Sequence, residues 1–298
     1  MRLTIRNGVL ALCLVMGTAL AAPSVATAAP IVPADHSRPV IANRALLTGP
    51  KLASVNTSWS ASNWSGYAEA GTYSGVSGTW TVPTVVASAS PTYSSTWVGI
   101  DGFTNSKLIQ VGTEQDYYGG SAHYDAWWEI LPAPESVLAP SSYPVSPGNR
   151  MKAAIYENAA TTTVLSGTTP TVEHLWDIVI SDVTKGWTVT TVQAYNGPTT
   201  SAEWIHEAPI VNGAVSTLAH YAVAAPTDTG DFDNAGIRHV ILATGGSAVF
   251  RGAGLDYAVD AGAMVQNNVA VSTPSGVDGA LTAFNVAYGA AMPAKPVG

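Results

Sequence analysis

From Ser58 onward the chain is punctuated by short runs in which apolar and polar residues alternate. Thr79-Trp80-Thr81-Val82, Thr96-Trp97-Val98-Gly99-Ile100, Leu108-Ile109-Gln110-Val111, Met151-Lys152-Ala153-Ala154-Ile155-Tyr156 and Trp187-Thr188-Val189-Thr190-Thr191-Val192 are rich in Val, Ile, Thr, Trp and Tyr. These residue types suit a pleated, half-buried surface. Gly, Pro, Asn, Ser and Asp interrupt the runs every ~8–15 residues, the rhythm of strands joined by turns. No stretch sustains apolar residues at helical spacing between two caps. Without crossover helices a parallel sheet cannot be built. The pattern predicts about a dozen strands in one all-β domain over residues 58–298, an antiparallel β-sandwich with little helix.

The N-terminus breaks this pattern. Arg2 and Arg6 precede the uncharged run Gly8–Ala22, and Ala26-Thr27-Ala28-Ala29 follows. That is the layout of a secretory signal, assigned to residues 1–29. The apolar run is too short for a membrane span, so the expectation is a secreted protein free of the membrane once the signal is removed. Residues 30–57 carry His36, Arg38, Arg44 and Lys51 against the single acid Asp35, among four prolines. This segment reads as a basic propeptide, held to an acidic domain by charge and released as carboxylates protonate.

Composition sharpens the picture. With 298 residues the chain can bury a substantial core. Charged residues make up only 11%, and the net charge is −8. From Ser58 onward seven bases stand against nineteen acids, and no basic run occurs. Nucleic acid is therefore excluded as a partner class. In strong acid most of these carboxyls would be neutral and few like charges would remain, which removes a common cause of acid unfolding. The only cysteine, Cys13, lies in the signal, so disulfides, thiol chemistry and cysteine metal sites are excluded from the domain. Nothing in the sequence demands more than a monomer.

The common catalytic signatures, G-x-S-x-G, H-E-x-x-H and the P-loop, are absent. Asp228-Thr229-Gly230 occurs once, in a polar setting, and reads as a turn. Glu203, His206 and Glu207 do not converge on a metal, because on a strand His206 faces away from Glu207. Neither metal nor cofactor is expected. Two other strands hold more. Tyr124-Asp125-Ala126-Trp127-Trp128-Glu129-Ile130 puts Asp125, Trp127 and Glu129 on one face, with Trp128 and Ile130 on the other. Likewise Glu203, Ile205 and Glu207 share a face. Carboxylates grouped this way in so uncharged a chain indicate a cleft or a polar network.

Five blocks then occur in order: Asn63-Trp64-Ser65-Gly66-Tyr67, Trp97-Val98-Gly99-Ile100-Asp101-Gly102, Leu108-Ile109-Gln110-Val111-Gly112, Tyr124-Asp125-Ala126-Trp127-Trp128-Glu129 and Ala202-Glu203-Trp204-Ile205-His206-Glu207. The series closely resembles the glutamic peptidases, the eqolisins or scytalidoglutamic-peptidase family, in their cysteine-free bacterial form. The resemblance implies a sandwich of two curved antiparallel sheets (concanavalin-like) and an acid endopeptidase acting on polypeptides without a covalent intermediate. It implies a catalytic dyad of Gln110 and Glu207, the second glutamate of its block and not Glu203. Trp97, Asp101, Trp127 and Glu129 correspond to residues lining the family's cleft. Glu114 stands where the family carries an aspartate four residues after its glutamine. His206 replaces a usually apolar residue and is expected to face outward.

The dyad makes chemical sense. Amide hydrolysis needs a base for water and a donor for the developing oxyanion. A glutamate base must be ionised, and a reference pKa of about 4.3 makes activity in acid natural. Glutamine cannot titrate, so it donates at any pH. Two other readings remain open at this point. Glu129 and Glu207 could be the carboxylate pair of a glycoside hydrolase, which would have no need of Gln110. Alternatively, the tryptophans could belong to a non-catalytic binding module.

Overall fold

The computed structural model describes Ala34, His36 and residues 57–166, 169–221, 240–242, 249–251, 256–278 and 283–296. The expected signal, most of the expected propeptide and the Asp228-Thr229-Gly230 triplet, read as a turn, lie outside the described residues. The chain divides into Met1–Pro30 and Ile31–Gly298, and all that follows concerns the second unit.

Its elements are β1 (Trp59–Ala61), β2 (Trp64–Ala70), β3 (Tyr73–Thr81), β4 (Ser95–Ile100), β5 (Ile109–Tyr118), β6 (Ser121–Ile130), β7 (Ser136–Val137), β8 (Arg150–Ser166), β9 (Thr169–Asp182), β10 (Trp187–Ala194), β11 (Ser201–Glu207), β12 (Ile210–Val211), β13 (Ala214–Val215), β14 (Val240–Leu242), β15 (Val249–Arg251), one helix α1 (Tyr257–Asp260), β16 (Ala261–Gln266), β17 (Val269–Pro274) and β18 (Val286–Tyr288). The larger sheet runs β18-β17-β16-β2-β11-β4-β5-β6-β7, with β1 added in parallel to β16. The smaller runs β10-β9-β8-β3-β14-β15. Apart from β1 the pairings are antiparallel, and the architecture is the expected β-sandwich.

Side-chain alternation decides what lies between the sheets. Val98, Ile100, Val111 and Trp204 of the larger sheet pack with Val76, Trp80, Met151, Ile155, Ile178 and Ile180 of the smaller. Two tryptophans also cross the gap by hydrogen bonds. Trp80 of β3 donates to Thr113 Oγ1 of β5 at 3.0 Å, and Trp204 of β11 donates to the Ser77 carbonyl of β3 at 2.9 Å. One strand of the smaller sheet therefore grips two central strands of the larger. A second cluster, Ala61, Trp64, Trp97, Leu108, Trp127 and Ile205, covers the larger sheet's other face. Sheet centre and both faces are thus buried, so all seven residues of β11 are inaccessible.

β8 and β9 are longer than the sequence pattern suggests, 17 and 14 residues. Their hairpin continues through a register shift between Glu157 and Thr161. Beyond it the residues are polar and Thr-rich, so backbone pairing sustains the strands where no apolar alternation announces them.

Gly112 of β5 lies in register between Trp97 of β4 and Trp127 of β6. A Cβ there would meet the Trp97 Cβ at 2.5 Å and its Cα at 3.0 Å, atoms that cannot swing away. Gly112→Ala is therefore expected to cost about 1–3 kcal/mol as an overpacking change. A lowered urea midpoint would show it; an unchanged midpoint would mean that the two indoles do not need this gap.

Candidate active site

The four strands β11, β4, β5 and β6 lie side by side, and their register sets three rows on the outer face. Glu203, Gly99, Gln110 and Glu129 form the first; Ile205, Trp97, Gly112 and Trp127 the second; Glu207, Ser95, Glu114 and Asp125 the third. The predicted grouping of Asp125, Trp127 and Glu129 on one face holds, as does that of Glu203, Ile205 and Glu207. The Trp64 and Trp97 rings meet edge to face at 4.9 Å beneath this surface.

Gln110 and Glu207 are both fully buried. Glu207 Oε2 accepts from Trp97 Nε1 at 2.8 Å, and its Oε1 accepts from Asn63 Nδ2 at 3.4 Å. Gln110 Nε2 donates to Glu129 Oε2 at 2.7 Å. A carboxylate oxygen accepts, so this contact turns the amide with its NH₂ toward Glu129 and leaves its carbonyl on the other side. That carbonyl oxygen has no hydrogen-bond partner among the described residues.

Gln110 and Glu207 share no hydrogen bond; they bracket His36. The His36 carbonyl accepts from Gln110 Nε2 at 2.9 Å. Its Nδ1 lies 3.2 Å from Glu207 Oε2, and its Nε2 lies 3.3 Å from Glu135 Oε2 and 3.4 Å from Glu114 Oε1. The ring stacks on Trp127 at 3.6 Å and 5°. Glu135, in the loop before β7, also accepts from the Ala34 N–H at 3.0 Å. His36, Glu114 and Glu135 bring ligand atoms within 4.8 Å of one another, a grouping able to hold an ion.

Burial dominates the titration of Glu114, Asp116 and Asp125. It pushes the Glu114 carboxyl up to about 8, with Asp125 and Glu135 adding to the rise and His36 opposing it. Asp116 and Asp125 are raised well above the usual range for the same reason, each reinforced by neighbouring carboxyls. For His36 burial acts to lower the pKa, but Glu114, Glu135 and Glu207 override it and hold the imidazole well above its ordinary value.

Three expectations need correcting or refining. Asp101 does not join the cluster around Gln110 and Glu207. At the other end of β4, with φ 70°, it accepts from Tyr195 Oη, the backbone N–H groups of Thr199 and Thr200, and Asn105 Nδ2. It fastens a loop; its left-handed backbone turns it off the strand face. His206 does face away from Glu207, but it is buried rather than outward. That face of β11 packs into the sandwich, and the ring lies against Tyr221 at 5.1 Å and 3.3 Å from Thr96 Oγ1. Glu203 shares the face of Gln110 and Glu207 yet sits beside Asp101, where burial raises its carboxyl well above the usual range. Missed altogether were Asn63 as a partner of Glu207, and His36 as an occupant of the site. Asn63 was in a quoted block, whereas His36 was visible only as one of four basic residues in the leader.

A family model described as the Peptidase A4 family matches residues 62–272. Aspergillopepsin-2 of Aspergillus niger is 30% identical over 184 residues, 53% of this chain and 59% of that protein; the chain thus spans less than two thirds of that relative's length. The solved scytalido-glutamic peptidase with a transition-state analogue inhibitor is 22% identical, with a TM-score of 0.54 over 76% of this chain and 98% of that one. SCP-B, an eqolisin in complex with the tripeptide Ala-Ile-His, is 21% identical at a TM-score of 0.50, with the same coverage. At these identities the structural likeness is one of fold.

Raised carboxyls make stability fall with pH. Between 4.5 and about 8 native Glu114 keeps a proton that the unfolded chain releases. Its contribution is therefore complete below 4.5 and lost as pH rises through about 8. Asp116, Asp125 and His36 act in the same direction. Denaturant unfolding across this range should give falling stability for the parent and a shallower fall for Glu114→Gln; equal slopes would refute the assignment.

Proposed function

The chain belongs to the Peptidase A4 family, and on that footing we propose that it is a secreted acid endopeptidase, made with a signal and a propeptide, that hydrolyses polypeptides with Gln110 and Glu207. The observation that carries this reading is a peptide carbonyl, that of His36, lying on the Gln110 amide with the Glu207 carboxylate on the other side of the same residue.

In the reaction, ionised Glu207 takes a proton from water as the oxygen attacks the substrate carbonyl. Trp97 and Asn63 fix that carboxylate's orientation. Charge develops on the carbonyl oxygen, and Gln110 Nε2 donates to it. The hydrogen bond from Nε2 to Glu129 fixes the amide's orientation, so the donor is preset and reorganises little. The Gln110 carbonyl is placed to accept from the attacking water. As the tetrahedral species collapses, Glu207 returns the proton to the departing amine. No cofactor enters these steps. Trp127 supplies a flat apolar wall for a substrate side chain. A glycosidase would gain nothing from an amide clamped between Glu129 and the reacting carbonyl.

Hydrolysis of a denatured protein between about pH 2 and pH 7 tests the reading, with wild type, Glu207→Gln and Gln110→Ala compared after the leader is processed. Activity confined to acid and insensitive to pepstatin is expected. Glu207→Gln should abolish it, and Gln110→Ala should cost about 10²–10³ in kcat. Full activity in either variant would remove that residue from the mechanism.

A further inference from the structure

We propose that His206 is a positioning residue for the reaction: by donating to Thr96 on the inner face of the larger sheet, it holds β11 against β4 so that the Glu207 carboxylate keeps its place beside Trp97 and opposite Gln110. This rests on the peptidase reading above and adds a residue through which that site is aligned.

Alternation puts His206 on the face of β11 opposite to Glu207, and Thr96 on the face of β4 opposite to Trp97. In the register His206 lies across from Thr96, Ile205 from Trp97 and Glu207 from Ser95. On the outer face Trp97 Nε1 reaches from β4 to Glu207 Oε2 at 2.8 Å. On the inner face His206 Nδ1 reaches from β11 to Thr96 Oγ1 at 3.3 Å. Consecutive residues of each strand thus tie the same two strands together from both sides of the sheet. A backbone ladder alone tolerates a range of twist, roughly −10 to −35° between neighbouring strands. Ties on opposite faces narrow that range, because a rotation of β11 about its own axis would strain both. The rotation they oppose is the one that would swing Glu207 away from the Trp97 indole.

The inner tie belongs to a longer row. Thr96 Oγ1 donates to Gln115 Oε1 at 3.2 Å, and Gln115 Nε2 donates to Thr113 Oγ1 at 2.5 Å. Thr113 Oγ1 also accepts from Trp80 Nε1 of the opposite layer at 3.0 Å. A hydroxyl has one hydrogen. Since that of Thr96 goes to Gln115, the hydrogen shared with His206 must come from the imidazole, on Nδ1. The neutral ring in that tautomer and the imidazolium both carry it, so the tie does not require one charge state of the ring. His206, Thr96, Thr113 and Gln115 are fully buried, and water does not compete for these bonds. Each is one step along its strand from the outer rows: His206 precedes Glu207, Thr96 precedes Trp97, and Glu114 stands between Thr113 and Gln115. The polar row therefore lies directly beneath the groups it aligns.

The test compares the full chain with His206→Leu, which removes the donor, Thr96→Val, which removes the acceptor, and His206→Asn, which keeps an N–H close to the Nδ1 position. In the hydrolysis assay given above, His206→Leu and Thr96→Val should each lower kcat about tenfold and change KM less than about twofold. The double variant should lose no more than either single one, since both break the same bond. His206→Asn should stay within about twofold of wild type. A readout independent of hydrolysis is the Trp97 indole N–H in a ¹H–¹⁵N spectrum, identified by its disappearance in Trp97→Phe. It should move in His206→Leu and Thr96→Val and keep its position in His206→Asn. Unchanged kcat in His206→Leu, an asparagine no better than leucine, or losses multiplying to about a hundredfold in the double variant would overturn the positioning role. Should His206→Leu fail to fold, full kcat in Thr96→Val would overturn it equally. If no chain hydrolyses protein at any pH, the peptidase reading falls and the indole signal decides alone. Moved by leucine and valine and restored by asparagine, it upholds the alignment of Glu207; unmoved, it refutes it.

Discussion

Among the described residues ten carboxyl side chains are buried, and no lysine or arginine is buried with them. Desolvation of a charge without a partner is the costliest arrangement a fold can hold, and most of the chain is arranged around avoiding it. Some of these carboxyls are fed by N–H and O–H donors, as Asp101 is by Tyr195, Thr199 and Thr200. Others, Glu114, Asp116, Asp125 and Glu203, have pKa values driven upward and keep their protons. Acid removes the cost of burying this second group. The same medium suits a glutamate base, so the conditions that favour the fold also favour the chemistry proposed for it.

Within that acidic surface the sheet register separates two kinds of group. Gln110 lies in the row with Glu129, while Glu207 lies two rows away in the row with Glu114 and Asp125. The diagonal leaves a gap about one residue wide, and Trp97, rising between the rows, donates to Glu207. A neutral amide beside Glu129 avoids adding another ionisable group to a crowded face. In the proposed reaction it also gives the oxyanion position a donor whose charge state does not change with the pH that governs its neighbours.

How much of this was legible in the sequence depended on the range of the interactions. Alternation along one strand is local, and Tyr124-Asp125-Ala126-Trp127-Trp128-Glu129 displayed its faces without any knowledge of neighbours. Ordered blocks carried the resemblance and with it Gln110 and Glu207, now on one face of one sheet. Asp101 matched a block equally well but turns off the strand at a positive φ, and nothing in its neighbours' identities announces that backbone. His206 was judged outward because its strand neighbours could be assigned and the aromatic cover from Tyr221 could not. The contacts of His36 span 171 residues to Glu207; only charge complementarity between leader and domain hinted that the two belong together.

The indoles of Trp80 and Trp204 span the sandwich from opposite directions, and both end on β3 or begin from it. Their partners are the strand that carries Gln110 and the strand that carries Glu207. Within the larger sheet β4 sets the separation of Gln110 and Glu207, and β3 braces both of their strands from the opposite layer. The spacing that the proposed reaction would use is thus steadied by the whole sandwich. Parting of the layers would release both strands from that brace together, so loosening at one strand could not leave the other held in place.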